Sequence, residues 1–496
     1  MYTYDDYSFA TEEEFLDGLQ RQKPDEYTEK SGIPLLYEDG CIYSDTSEAH
    51  TLIFGNTGSK KTRNFCIPGV YAMGMAGESM VISDPKGEIY RNTSGFLAHE
   101  GYRMRTINFR EPAFGNSWNP LDIPYQYYKN GMEDKALELV ADLAEQLQAK
   151  VYTDRDPYWS NMAKLLLEGM ILILFQCAKD SKEVHMGSIQ YIRKYIALEE
   201  ADNSANIFWD LVESFPEDSM IRNKLQSVYA LRRVEKTLMC VLAEFDAMIN
   251  DFFINRKILE MMSSSEIDYE DLFMEKTAFY LIMPDEKRTF HFLVSIFVKQ
   301  CYEYLVGQAQ KQPMATFQRR INFVLDEFSN FSKIHDMPSM ISAGRSRNIR
   351  FTLIVQSRRQ LYSLYKEEAD TIKSNCRNWI FLASRELELL QELEKLCGQV
   401  FVKQRGYRPI LSVTDLQQLF IGWEDSQALV FRAQKKPYLS WVKDFSMYPQ
   451  ANYPEIPFSQ IKEKPLSYFN VLQYLCERLE LKNPLEEIDI DSIFDD

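Results

Sequence analysis

The nine residues GNTGSKKTR, 55–63, follow the apolar run TLIF and lead into NFCIPGV. They depart at one position from the phosphate-loop pattern G-x-x-x-x-G-K-[ST], because Lys60 stands where the second glycine belongs. In such a loop the backbone N–H groups from Gly55 through Asn56, Thr57, Gly58, Ser59 and Lys60, with the opening of the next helix, face phosphate oxygens. Lys61 would pair with the β/γ oxygens, Thr62 would place its hydroxyl on Mg²⁺, and Arg63 closes the segment. The chemistry implied is the binding of ATP with Mg²⁺. Lys60 fits such a loop with an ordinary negative φ and its side chain turned away. Taken alone, the stretch leaves a decayed or coincidental match as the lesser alternative.

Two further stretches bear on that choice. INFVLDEFSNF places Asp326 and Glu327 at the end of an apolar strand. There Asp326 would hold the metal and Glu327 would polarise the attacking water; an acidic turn after a strand reads the same way. In ISAGRSRNIRFTLIVQSRRQL, Arg345 and Arg347 precede a strand and Gln356 ends it. Gln356 is placed to sense a γ-phosphate, and Arg345, nineteen residues after Asp326, to reach a neighbour's nucleotide. The alternative is a solvated basic loop.

The elements that would position these residues alternate. CIYSD, TLIFG, SMVISD and RMRTINF read as strands, and KKTRNFCIPGVYAMGMAG as a loop running into a helix. That order implies a parallel α/β sheet. From about 130 to 275 the chain reads almost wholly helical, and LQSVYALRRVEKTLMCVLAEFDAMINDFF carries one apolar stripe of Val228, Leu231, Leu238, Leu242 and Phe245. Strands return at TAFYLIMP, RINFVLDEF, IRFTLIVQS, NWIFLAS and SQALVFRAQ. The expected organisation is an acidic N-terminal segment, 1–32, and a nucleotide-binding α/β domain, 33–124 and 276–445. An all-α domain, 125–275, is inserted into it, and a C-terminal extension, 446–496, follows.

The bulk numbers limit the partners. With 496 residues the chain exceeds one ordinary core. Its formal charge of −17, from 56 basic and 73 acidic residues, confines DNA contact to a local channel. Eight scattered cysteines without a C-x-x-C pair argue for reduced thiols and against a zinc site. The N-terminus lacks the pattern of a signal peptide. LLLEGMILILF, interrupted by Glu168, is about half of the roughly 20 apolar residues that span a bilayer, so no transmembrane segment is expected.

GNTGSKKTR, SDPKGE, NSWNPL, DPYWSNMAKLLLEG, VLDEFSNF, AGRSR and VQSRRQL occur in the order found in type IV coupling proteins, the TraG/TraD-type ATPases of conjugation. The resemblance covers about residues 33–445. It implies a RecA-like P-loop NTPase domain with an inserted all-α domain, assembled as a homo-hexameric ring. Such rings recruit single-stranded DNA, relaxase–DNA or effector proteins to a type IV secretion channel. By position, Lys61 and Thr62 take the nucleotide roles, Asp326 and Glu327 the Walker B roles, Arg345 the arginine finger and Gln356 the sensor. The family's N-terminal membrane-spanning pair is missing from this sequence. A cytoplasmic protein is therefore expected, held at the inner face of the membrane through a partner. A non-hydrolysing recruitment platform and a HerA/FtsK-like DNA pump are the alternatives. The tail PLEEIDIDSIFDD, 484–496, interleaves six carboxylates with apolar residues; it reads as a solvated end or as a segment that docks on a basic membrane protein.

Overall fold

Strands that are apolar along their whole length need cover on both faces, which a parallel sheet flanked by helices supplies. The computed structural model, which describes residues 9–23, 25–151, 157–196, 207–402, 406–462 and 465–478, has such a sheet. The tail at 484–496 lies outside the described residues. In chain order the strands are β1 (Gln20–Gln22), β2 (Pro34–Glu38), β3 (Cys41–Ser44), β4 (Thr51–Phe54), β5 (Ser79–Asp84), β6 (Arg103–Asn108) and β7 (Thr277–Ile282). There follow β8 (Ile321–Leu325), β9 (Ile349–Val355), β10 (Asn378–Phe381), β11 (Gln399–Val402), β12 (Gly406–Pro409), β13 (Asp425–Phe431) and β14 (Tyr438–Lys443).

Nine of them form one sheet in the order β14-β13-β10-β4-β9-β8-β5-β7-β6. From β10 to β6 all pairings are parallel; β13 runs antiparallel to β10, and β14 to β13. Every residue of β4, β5, β7, β8 and β9 is buried. Because the parallel strands run the same way, the loops after β4, β8 and β9 open on one edge, where α/β sheets bind ligands. The antiparallel pair adds to that edge the start of β13 and the end of β14.

The chain divides into two compact units: 1–116 with 267–460, and 117–266 with 461–496. The expected divisions lay at 124/125 and 275/276, and the stretch treated as one C-terminal extension is split between the units. In the first unit, the N-terminal segment is built into the fold. Thr11 caps the helix Glu12–Leu16, Phe15 stacks on Tyr438 at 4.0 Å, and β1 pairs with β3 in a three-stranded sheet.

The second unit is helical. Its longest helix, Tyr158–Cys177, is apolar enough by length and composition to cross a membrane, but 72 % of its most apolar window is buried. Its buried Glu168 pairs with Lys224 at 2.6 Å. The stripe read from Val228 to Phe245 is not carried by one helix: Met220–Ala230 and Glu235–Ile249 are separated by the turn Leu231–Arg233. Between Leu231 and Leu238 lies a polar run, so no buried contact holds the backbone straight there, and Leu231 is only half-buried.

A buried polar cluster fixes the register of the central strands at the edge away from the phosphate loop. Glu78, just before β5, accepts from Ser31 N at 3.0 Å, Asn322 Nδ2 on β8 at 2.8 Å and Arg350 Nη2 on β9 at 3.2 Å. Arg350 also donates to Asn322 Oδ1 at 2.9 Å and Ser31 O at 2.7 Å. Burial pushes its guanidinium down to about 10. Removing one member of such a group strands the others without partners. Glu78→Ala is expected to cost about 3 kcal/mol and bring forward the thermal unfolding of this unit; an unchanged melting curve would remove the cluster from the stability of the sheet.

Candidate nucleotide-binding site

The loop after β4 is fastened to the strands on either side. Gly55 N donates to Val355 O at 3.2 Å and Asn56 N to Ala383 O at 2.9 Å. No side chain fits at Gly55, where a Cβ would lie 2.3 Å from Ser59 Oγ and 2.8 Å from Lys61 Cγ. The turn then reverses through Gly58 at φ +82°. Lys61, buried, directs its ammonium to Asn56 O at 3.2 Å and lies 3.9 Å from Glu327 Oε1. Thr62 opens a π-turn, Thr62–Cys66, ahead of the helix Ile67–Met75. Pro68 has no N–H to offer the preceding turn, which accounts for the widened hydrogen bonding there.

Lys60 does not take the negative φ expected of it. It sits at φ +63°, the left-handed conformation a glycine would adopt, at a cost of about 1 kcal/mol. The backbone of the motif is therefore kept and only its residue changed. The side chain offsets the strain: Lys60 Nζ donates to Trp423 O at 2.9 Å, lies 5.1 Å from the Trp423 ring centre, and is 3.6 Å from Asp444 Oδ2. Arg63 is drawn the same way. It grips Asp444 with two bonds of 2.7 Å, covers the Phe445 ring at 4.4 Å, and reaches Glu88 at 3.6 Å. Burial alone would raise the Asp444 carboxyl; the hydrogen bonds from Arg63 and Ser446 outweigh it and hold it below the usual range. The side chain of Arg63, the residue that closes the segment, is thus committed to Asp444.

Thr62 meets the carboxylate expected of it. Its hydroxyl donates to Asp326 Oδ2 at 2.7 Å, across the end of β9. Burial, and after it the charge of Glu327, push the Asp326 carboxyl up to about 7; the Thr62 bond and Lys61 offset only part of this. A carboxylate and a hydroxyl side by side, with negative charge so poorly compensated, suit a hard divalent cation that keeps several waters. Glu327 stands in left-handed backbone at φ +54°, which turns its carboxylate out of the strand line. Gln356 Nε2 donates to Glu327 Oε2 at 2.7 Å, and Asn330 Nδ2 to the same oxygen at 3.2 Å. Thr57 Oγ1 donates to Gln356 Oε1 at 3.4 Å, so Gln356 bridges the loop and the acid.

Arg345 and Arg347 lie elsewhere. They form the turn Arg345–Arg347 before β9, whereas Gln356 follows it; seven strand residues put roughly 23 Å between the two ends. Arg345 therefore does not reach the loop of its own chain. The helix Met337–Gly344 and β9, which flank its turn, are joined by His50, the residue before β4. His50 Nδ1 accepts from Phe351 N at 2.9 Å, so Nε2 carries the proton and donates to Ile341 O at 2.7 Å. Burial pushes this imidazole down to about 4, which keeps it neutral.

The stretch SDPKGE carried the resemblance without being given a role in the site, and two further residues drew no reading at all. Asp84, at the end of β5, caps the next helix through Tyr90 N at 2.8 Å, and Ser83 Oγ donates to Asp326 O at 2.9 Å. Asp444 and Trp423 approach the loop from more than 350 residues away in sequence, and no local signal marks them.

The family model for type IV secretory system conjugative DNA transfer matches residues 5–414. Two conjugal transfer proteins TraG of Escherichia coli are 24 % and 22 % identical over 71 % and 70 % of this chain, and the chain spans about half the length, 55 %, of each. The fold is similar to that of the bacterial conjugative coupling protein TrwBdeltaN70 in complex with sulphate, with TM-score 0.57 and 16 % identity over 89 % of this chain and 92 % of that one. It is similar also to plasmid coupling protein TrwB in complex with a non-hydrolysable ATP analogue, with TM-score 0.58 and 15 % identity over 93 % and 98 %. These likenesses identify the larger sheet and its flanking helices as a RecA-like P-loop fold. With the family's model matching over most of its length, the chain belongs to the type IV secretory system conjugative DNA transfer family.

Proposed function

We propose that this chain is an ATP-hydrolysing coupling protein that delivers DNA, relaxase–DNA or an effector protein to a type IV secretion channel. The observation that carries the reading is the Thr62–Asp326 contact with Glu327 held beside it by Gln356. Four residues from three strand ends converge there, which a loop that had lost its function would have no reason to keep. TrwB has been seen with an ATP analogue, and with ADP and Mg²⁺. In this chain Thr62 and Asp326 would hold Mg²⁺, which when bound neutralises charge on the transferring phosphoryl group. Lys61 binds β/γ oxygens, and Glu327 orients and polarises the attacking water. Because Lys60 keeps the glycine-like backbone, its substitution gives no reason to favour the non-hydrolysing alternative.

The position of Arg345 at the far end of β9 fits a finger supplied to a neighbour, and hence a ring, with six copies as the resemblance implies. The helical unit, which lacks a nucleotide motif, would choose cargo. Membrane contact would come through a protein partner, the acidic tail at 484–496 being the segment proposed to dock on it.

Calorimetry with Mg²⁺ present is the direct test: the wild type should bind ATP and Lys61→Ala should not. Absence of binding by the wild type would overturn the reading. Arg345→Ala is expected to retain ATP binding but lose turnover by a factor of about 10³. Wild-type turnover per subunit should rise with protein concentration, and a rate independent of concentration from dilute monomer upward would count against a finger in trans. Asp326→Asn keeps an acceptor for Thr62 while removing a buried charge. The variant should therefore melt roughly 2–4 °C higher than wild type and lose Mg²⁺-dependent nucleotide binding.

A further inference from the structure

Trp423 is 81 % exposed, yet it is held firmly. It stands at the tip of a tight turn closed by Gly422 N donating to Asp425 O at 2.8 Å and by a bridge between Ile421 and Ser426. Lys60 fastens that turn to the phosphate loop through the Trp423 carbonyl, leaving the indole beside the loop and open to solvent.

The strand order says what passes there. On one side of β4 lie β9 and β8, whose ends carry Gln356, Asp326 and Glu327, so the terminal phosphate and the attacking water belong to that side. The rest of a nucleotide must leave the loop on the other side, toward β10, β13 and β14. There the edge offers the start of β13 with Trp423 and the end of β14 with Asp444 and Phe445. Arg63 is tied down on Asp444 and Phe445, which covers that ring; Phe420 and Trp441 pack against each other, and Trp423 is the most exposed aromatic face there.

We propose that Trp423 is the platform on which the nucleobase stacks, and that Lys60 is the positioning residue that brings it to the loop. This rests on the reading of the loop as a nucleotide site. It also accounts for a lysine in left-handed backbone where glycine would be free of strain: the side chain supplies a link from phosphate loop to base platform that glycine lacks. A stacking face is indifferent to the edge groups of the base, so adenine and guanine nucleotides should depend on it alike.

The test compares ATP with inorganic tripolyphosphate, which shares the phosphates and lacks the base, by calorimetry with Mg²⁺ present. Trp423→Ala should weaken ATP and GTP about ten-fold and leave tripolyphosphate unchanged, while Trp423→Phe recovers most of the loss. Lys60→Gly should show the same selective loss with tripolyphosphate binding kept. In the wild type, ATP but not tripolyphosphate should quench indole fluorescence, and Trp423→Phe should abolish the change. Equal weakening of ATP and tripolyphosphate, or ATP affinity unaltered in Trp423→Ala, would overturn the platform while leaving the nucleotide site standing. A wild type that binds neither ligand would overturn the nucleotide site itself and the platform with it.

Discussion

The carboxylate of Glu78 is the constraint on which the sheet's geometry rests. Parallel strands buried on both faces have no polar face to select their register, and a slip of one residue would exchange every side chain between faces. Glu78, Asn322 and Arg350 remove that freedom, because only one alignment of β5, β8 and β9 satisfies all three buried polar groups. With the strands fixed at one edge, their ends at the other are fixed too. Thr62 then meets Asp326, and Gln356 meets Glu327, within hydrogen-bond distance although the partners belong to different loops.

At the loop edge the protein accepts unfavourable terms. Lys60 and Glu327 hold left-handed backbone, and Asp326 is buried beside a second acid. Each would be relieved by a substitution: a glycine in place of Lys60 or Glu327, at the loss of that side chain's contacts, or an amide in place of Asp326, at the loss of its charge. Such costs persist where the surrounding structure over-determines them, and here it does. Lys60 is tethered to Trp423 and Asp444, and Glu327 to Gln356 and Asn330.

The phosphate loop, the acid pair and Gln356 were legible in the sequence because their chemistry demands fixed residue types at strand ends, and apolar strands are themselves legible. The backbone of Lys60 was not: a lysine carries a presumption of negative φ, and what overrides it is a carbonyl 363 residues downstream. The partner of Arg63 was hidden for the same reason, since Asp444 follows β14, a strand whose short sequence YLSWVK after Pro437 drew no reading. The helical unit was legible as helical but not in its breaks. The turn at Leu231–Arg233 falls where the apolar stripe lapses, a matter of missing contacts rather than of any breaker residue.

His50 ties the start of β4 to the helix and strand that flank the Arg345 turn, while the other end of β4 runs directly into Gly55. In the proposed ring, with each arginine serving the adjoining subunit, this short strand would be a strut between two nucleotide sites. Its imidazole, locked as one tautomer and bonded at both nitrogens, leaves no slack at the joint. In such a ring a displacement of the phosphate loop along the strand axis would bear on the arginine turn through four buried residues, a rigid path rather than a flexible relay.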